Sequence, residues 1–199
     1  TTHLYREIHE QAAVIENLVT KTQDAIKDLA DQISSRKIHH VFIAARGTSD
    51  NAGRYAKYLL GAHNRIVVSL ATPSLFTIYE RPPDLSDSLV LCISQSGKSP
   101  DIVSVIKEGQ KQGALTAAIT NYPESDLGRA AENVLDLQAG EEISLAATKT
   151  YTAQLTTLAI LSTLLYPSDQ YFKDLQALPD QVRQVFEPEA EIDSLAERY

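Results

Sequence analysis

Five short apolar runs, most of them separated by helical segments, constrain the fold of this 199-residue chain more than any other feature. Apolar residues fill each run almost continuously instead of alternating with polar ones, which is typical of strands buried on both faces of a parallel sheet. The runs are Val41–Ala45, Ile66–Leu70, Leu89–Ile93, Leu115–Ile119 and Val134–Leu137. This order predicts right-handed crossovers and an α/β fold, a doubly wound five-stranded parallel sheet flanked by helices.

The chain on either side of these runs has helical patterns. Residues 1–36 predict an N-terminal helical arm because apolar residues recur there at helical spacing, beginning with Leu4, Ile8, Ala12, Ile15 and Val19. Residues 37–167 form the predicted sheet domain. Residues 168–199 are acidic and amphipathic, with interruptions at Pro179 and Pro188, and predict a helical linker. The final residues begin a helical pattern that stops, so we expect this chain to be one half of a longer protein.

Charge and composition exclude several classes of protein. The formal net charge is −8 and no basic face is visible, which argues against a nucleic-acid partner. No apolar run approaches the roughly 20 residues of a membrane span. The single cysteine, Cys92, cannot form a disulfide within the chain, which indicates a reducing cytoplasm. Cys92 lies inside an apolar run, so we expect a buried small hydrophobic residue, with a nucleophile as the alternative.

The strongest candidate site follows the third apolar run. Ligands of doubly wound sheets bind beyond the carboxyl ends of the strands, and Ser94–Pro100 begins there. Ser99 is a favourable helix N-cap, and Pro100 suits the first helical position. Gly97 lets successive N–H groups converge, and the neighbouring hydroxyls add donors. We expect a phosphate site of uncharged donors at a helix N-terminus. The alternative is an ordinary serine-rich turn.

Two other segments follow predicted strands. In the first, Gly47 permits a tight turn, and Thr48, Ser49 or Asp50 can cap the next helix. In the second, residues 140–149, Thr148 could reach a ligand. Glu141 and Glu142 are candidates for a general base, or else acidic residues that complement a helix dipole.

The cations near these turns have open roles. Arg46 and Lys98 either steer a phosphate or are solvated, and Lys149 is either a surface residue or a ligand contact. His39 and His40 precede the first strand, at the wrong edge of the sheet for the site. No spacing of histidine, cysteine and acidic residues resembles a metal site.

Three blocks of sequence together resemble the SIS (sugar isomerase) domain family. They are Arg46–Ser49, Ile93–Asp101 and the segment from Ala139 through Lys149. Within the family, the chain is similar to the isomerase region of glucosamine-6-phosphate synthases and to related deaminases. Lys98-Ser99 stands where synthases usually have Glu-Thr, and Ala147 stands where they usually have serine. The Gly-Lys-Ser-Pro-Asp version at residues 97–101 looks more like the deaminase and deglycase branch.

The resemblance implies a flavodoxin-like sheet and a set of ligand contacts. The positions that match the family's phosphate contacts are Ser49, Ser94, Gln95, Ser96 and Ser99, and those near the sugar are Gly47, Thr48, Ala147 and Thr148. Arg46, Lys98 and Glu142 are possible auxiliary residues. The implied ligand is a hexose 6-phosphate, with no metal or other cofactor. The family also implies a homodimer, for which the apolar face of the arm would supply a contact.

The implied reaction is ring opening of the sugar, then proton transfer between C1 and C2 by a carboxylate base. In the family that base lies outside the region equivalent to residues 1–199, so the catalytic residues of this chain are unknown and it would be catalytically incomplete alone. One alternative is a non-catalytic sugar-phosphate sensor, but the acidic arm does not resemble a basic DNA-reading helix. The other is a structural pseudo-domain.

Overall fold

The structure, a computed structural model, describes residues 2–21 and 23–187, together with residues 192 and 196. Two helices precede the sheet, strands and helices then alternate, and two helices follow it. The elements are α1 (His3–Lys21), α2 (Gln23–Ser35), β1 (His40–Ala45), α3 (Thr48–Asn64), β2 (Val67–Leu70), α4 (Ser74–Thr77), β3 (Leu89–Ile93), α5 (Pro100–Lys111), β4 (Leu115–Thr120), α6 (Asp126–Ala130), β5 (Asn133–Asp136), α7 (Lys149–Leu165) and α8 (Asp169–Val185). In the described ranges no helix has both the length and the apolarity to cross a membrane.

The sheet confirms the predicted fold class. Its five strands are all parallel and follow the order β2-β1-β3-β4-β5. This is the flavodoxin-like order, which reverses direction between β1 and β3. Every residue of β3 and of β4 is buried, as the continuous apolarity of their sequences predicts.

Two apolar clusters cover the two faces of the sheet. Successive strand residues point to opposite faces, so Leu91 of β3 joins one cluster while Val90 and Cys92 join the other. Helices α1, α2, α3 and α7 supply the first cluster, and α5 and α6 supply the second. Cys92 is fully buried, which confirms its interpretation as a small buried residue, and this burial raises the pKa of its thiol.

The first two helices are part of the packed domain. Ile15 and Leu18 of α1 and Ile26 and Leu29 of α2 are buried in the cluster that contains α7. The apolar face that the sequence analysis offered to a partner subunit is therefore buried inside the chain. That face no longer supplies an argument for a dimer.

Helix α8 continues through Pro179 instead of stopping there. A proline inside a helix removes one hydrogen bond and crowds the preceding turn. Here Pro179 and Leu175 are buried, and Leu178 packs against the core, so apolar packing offsets the cost. The predicted interruption at Pro188 lies outside the described residues.

Candidate functional site

A cavity of about 260 Å³ opens where the strand order reverses, beyond the carboxyl ends of β1 and β3. The helix after β1, α3, packs on one face of the sheet, whereas the helix after β3, α5, packs on the other. The two chain segments diverge and leave a crevice, as expected at such a switch point. The lining residues are Arg46, Thr48, Ser49, Ser94, Gln95, Ser96, Ser99, Glu142, Ser144, Leu145, Ala147, Thr150, Tyr151 and Gln154.

The turn after β3 is held by its own backbone and by α6. Gly97 has φ 62°, in the left-handed region that favours glycine, and its N–H donates to the carbonyl oxygen of Ser94 at 3.2 Å. The N–H of Leu127, in α6, donates to the Gly97 carbonyl oxygen at 3.0 Å. A side-chain carbon at Gly97 would overlap the Ser125 hydroxyl. Only glycine therefore fits this turn.

The hydroxyls of this turn are available to donate into the cavity. Ser94 Oγ accepts from the Gly97 N–H at 3.2 Å, and Ser96 Oγ accepts weakly from the Lys98 N–H at 3.4 Å. Because each oxygen already accepts, its own proton can point elsewhere. Ser99 occupies the N-cap of α5 without making a side-chain capping bond. Its hydroxyl is thus another donor beside the positive end of a 12-residue helix.

A second helix N-terminus meets the first at this cavity. Helix α3 begins at Thr48, directly after Gly47, which has φ 57°. Ser49 in its first turn is buried and receives a hydrogen bond from the Gln154 side chain. The cavity therefore lies between two helix ends whose dipoles both favour an anion.

Glu142 caps the start of α7. Its carboxylate accepts hydrogen bonds from the backbone N–H groups of Thr148 at 2.9 Å and Thr150 at 3.1 Å, and from the Thr150 hydroxyl. Both carboxylate oxygens are engaged in these bonds. This arrangement supports the dipole-complement interpretation of Glu142 over the general base.

Lys149 pairs with the N-terminal helix. The residue is only 4% exposed, and its Nζ lies 2.5 Å from Glu10 Oε2. Lys149 is therefore not the surface residue considered from sequence, and it is not among the residues that line the cavity. Its burial is tolerated because the ammonium group is paired.

Glu7, which is also on α1, accepts hydrogen bonds from the loop at Ile143 and Ser144. Burial acts to raise the pKa of its carboxyl, but hydrogen bonds from Ser144 and Ile143 and the charge of Lys149 outweigh burial and lower that pKa. Glu7 is therefore ionised at neutral pH. Glu7 thus holds the loop at Ser144, which lines the cavity.

The two candidate cations have different positions. Arg46 lines the cavity and pairs with Asp101 at 2.5 Å, although its side chain is 67% exposed. Lys98 is exposed and lies against a separate shallow depression beside Tyr122. Arg46 is thus the better placed of the two to meet an anion.

The structure brings most of the sequence-derived candidates to one cavity. Those that line it are Arg46, Thr48, Ser49, Ser94, Gln95, Ser96, Ser99, Glu142 and Ala147, whereas Gly47, Lys98 and Thr148 do not. Sequence reasoning missed Ser144, Leu145, Thr150, Tyr151 and Gln154. Three of these five could have been found, because Thr150, Tyr151 and Gln154 follow Ala147 at intervals of three, four and seven residues, which places them on one helix face.

A larger cavity, about 710 Å³, lies at the opposite edge of the sheet. Its lining includes His39 and His40 at the amino end of β1, and Gly113 just after α5. The carboxyl ends of the crossover helices point to this edge, so their dipoles disfavour an anion there. Ligands of this class of sheet bind at the other edge. Across the part of the chain that is described, no cluster of histidine, cysteine and acidic side chains could hold a metal ion.

Comparison with known proteins gives consistent matches. Residues 34–164 match the SIS domain family model. The isomerizing glutamine–fructose-6-phosphate aminotransferase of Thermus thermophilus is 31% identical over 99% of this chain, and the chain spans 34% of that relative's length.

Two solved structures share the fold. A proposed phosphosugar isomerase from Silicibacter pomeroyi superimposes with a TM-score of 0.88 at 31% identity, covering 92% of this chain and 56% of that one. The C-terminal domain of glucosamine-fructose-6-phosphate aminotransferase from Francisella tularensis gives 0.85 at 28% identity, covering 99% of this chain and 59% of that one.

Proposed function

Because the chain belongs to the SIS domain family, we propose that it binds a hexose 6-phosphate in the cavity between β1 and β3. The observation that carries this proposal is the convergence of two helix N-termini and several free hydroxyls on one small cavity. A phosphate dianion accepts hydrogen bonds from such donors and is favoured by both helix dipoles.

The proposed phosphate contacts come from the turns after β1 and β3. They are Ser49, Ser94, Gln95, Ser96 and Ser99, all of which line the cavity. The proposed sugar contacts come from the backbone at Gly47, from Thr48, and from Ala147 and Thr148 beside α7. Arg46 is the auxiliary cation, since its pairing with Asp101 leaves it at the rim.

The expected affinity is moderate. Hydrogen bonds to a charged group contribute roughly 1.5–3 kcal/mol each, and a helix dipole adds about 0.3–1 kcal/mol. Four or five such contacts must offset about 4–15 kcal/mol of lost ligand freedom. The net charge of −8 gives no attraction at long range. We expect dissociation constants between micromolar and millimolar.

We further propose that this chain is the ligand-binding half of an aldose–ketose isomerase or an amino-sugar-phosphate deaminase. Proton transfer between C1 and C2 needs a free carboxylate near the sugar. Among the described residues that line the cavity, the one carboxylate is Glu142, and its oxygens cap α7. The base is therefore expected from outside residues 1–199, and no cofactor is required.

The proposal includes a division of the chain and its assembly. Residues 37–167 correspond closely to the family match, and residues 168–199 would lead to a second SIS half. Leu145 is fully exposed at the cavity rim, beside the largely exposed Ile143, which supports a homodimer contact there. Light scattering that finds only monomer at micromolar concentration would contradict the dimer. The single free, buried Cys92 supports a reducing, cytoplasmic location.

Calorimetric titration with glucosamine 6-phosphate and fructose 6-phosphate tests the binding proposal. We expect binding to both, no binding of glucosamine without phosphate, and at least about fivefold weaker binding by Ser96→Ala. Ser104→Ala is the matched control, because Ser104 lies on α5 with its hydroxyl bonded to the Asp101 carbonyl, outside the cavity. Absence of binding by any hexose 6-phosphate would support a structural pseudo-domain instead. Turnover by the chain alone would contradict an external base.

A further inference from the structure

Gln154 is a deeply buried polar side chain in the wall of the cavity. The residue is only 2% exposed, and it lies on α7, which packs against α3. Its Nε2 donates a hydrogen bond to Ser49 Oγ at 3.1 Å. The two residues are 105 positions apart in the sequence, so the contact is made entirely by the packing of α7 against the start of α3.

This hydrogen bond fixes the direction of the Ser49 hydroxyl. A hydroxyl has one proton and two acceptor lone pairs. Because Ser49 Oγ accepts from Gln154, the Ser49 proton points away from the amide. Ser49 lines the cavity, so the free direction for its proton is toward a bound anion.

The carbonyl oxygen of the Gln154 amide lowers the stability of the fold. Gln154 Oε1 is buried and has no hydrogen-bond partner among the described residues. A buried acceptor without a partner destabilises a fold, and an apolar side chain of similar size would avoid that loss. A residue that only filled space at this position would be better as methionine or leucine. What the glutamine provides that an apolar side chain could not is its hydrogen bond to Ser49.

We propose that Gln154 is a positioning residue of the anion site, which orients the Ser49 hydroxyl so that it donates to the phosphate of the ligand. The proposal rests on the proposed function and deepens it. Gln154 acts on the phosphate only through Ser49. Removing the amide should therefore weaken binding without weakening the fold.

The test compares ligand affinity with thermal stability in Gln154→Met. Calorimetry with inorganic phosphate and with glucosamine 6-phosphate should show roughly three- to tenfold weaker binding of both ligands. The Tm without ligand should stay the same or rise. Gln154→Glu should bind more weakly still, because an ionised carboxylate accepts the Ser49 proton and adds a repulsive charge.

Two controls separate positioning from a structural effect. Thr157 lies on the next turn of α7, and its buried hydroxyl, like Gln154 Oε1, has no hydrogen-bond partner among the described residues, but Thr157 does not line the cavity. Thr157→Val should therefore leave both affinities unchanged. In a Ser49→Ala background, Gln154→Met should cause no further loss of affinity, because the group it orients is absent.

The outcomes distinguish this inference from the proposed function. If the unmodified chain binds neither ligand, the proposed function and the role of Gln154 are both contradicted. If it binds and Gln154→Met binds equally well, only the role of Gln154 is overturned. Equal losses from Gln154→Met with and without Ser49 would likewise overturn it, since the two residues would then act independently.

Discussion

Glu7 and Ser144 are 137 positions apart in the sequence, yet the Glu7 carboxylate accepts a hydrogen bond from the backbone N–H of Ser144 at 3.2 Å. It also accepts from the Ile143 N–H at 2.5 Å and from the Ser144 hydroxyl. Ser144 lines the cavity, so the first helix of the chain shapes the wall of the candidate site. The N-terminal arm is thus tied to the site as well as to the core.

We expect Glu7→Gln to lower both stability and ligand affinity. The amide nitrogen replaces Oε2, so the bonds that Oε2 accepts from the Ser144 N–H and hydroxyl are lost, and the bonds to Oε1 are no longer made to a charged acceptor, at a cost of about 1–3 kcal/mol. A loss of roughly 1 kcal/mol lowers the Tm of a chain this size by about 2–4 °C. Thermal unfolding measures the effect. Glu16→Gln is the control, because Glu16 is an exposed residue paired with Arg183; equal Tm changes in the two variants would contradict the role of Glu7.

The Glu7 contact also predicts how stability depends on pH. The pKa of Glu7 is lower in the folded chain than its ordinary value of 4.5, so the folded state binds fewer protons than the unfolded state. Its contribution to stability is complete above that ordinary value and is lost as the pH falls through the folded-state pKa. The Tm difference between the unmodified chain and Glu7→Gln should therefore narrow as the solution is acidified below about pH 4.5. A constant difference from pH 7 to pH 3 would show that ionised Glu7 is not the cause.

Gly97→Ala should disrupt the turn after β3 and abolish ligand binding. The left-handed backbone costs a non-glycine residue about 1–2 kcal/mol. In addition, the new Cβ would lie 2.6 Å from Ser125 Cβ, and Ser125 caps α6. Gly113→Ala is the matched control, because Gly113 has φ 79° but an added Cβ there would meet no atom within 4 Å. We expect a much larger fall in Tm for Gly97→Ala than for Gly113→Ala, and similar falls would contradict the close packing under the turn.

Asp101→Asn should tighten phosphate binding. Asp101 pairs with Arg46 at the cavity rim, so it neutralises the nearest cation and adds a negative charge near the anion. Removing that charge releases Arg46, and we expect roughly two- to fivefold tighter binding of glucosamine 6-phosphate at low salt, with the gain reduced by added salt. Glu108→Gln, which removes a charge at the far end of the same helix, should have no effect on affinity. Weaker binding by Asp101→Asn would indicate that Arg46 must be held by Asp101 to function.

The sequence predicted those features of the fold that depend on local pattern. The continuous apolarity of β3 and β4 indicated a parallel sheet, and Gly97 and Pro100 located the turn at its carboxyl edge. Parallel strands bring such turns together at one edge, so the phosphate candidates could be gathered from the order of strands and turns alone.

Features that depend on packing between distant segments could not be predicted in this way. Glu7 and Glu10 have the pattern of solvated helix residues, and only the docking of α1 beside α7 brings them to Ser144 and Lys149. The sequence predicted an interruption at Pro179, but α8 continues through it. The packing that offsets the cost of the proline is not visible in a helical pattern.

Backbone amide chemical shifts during a titration with glucosamine 6-phosphate test the central claim most directly. If the phosphate is held between the two helix N-termini, the amides of residues 94–99 and of Thr48 and Ser49 should show the largest changes and should saturate together. Changes centred on the opposite cavity, around His39 and Ser88, or no saturable change at all, would contradict the account.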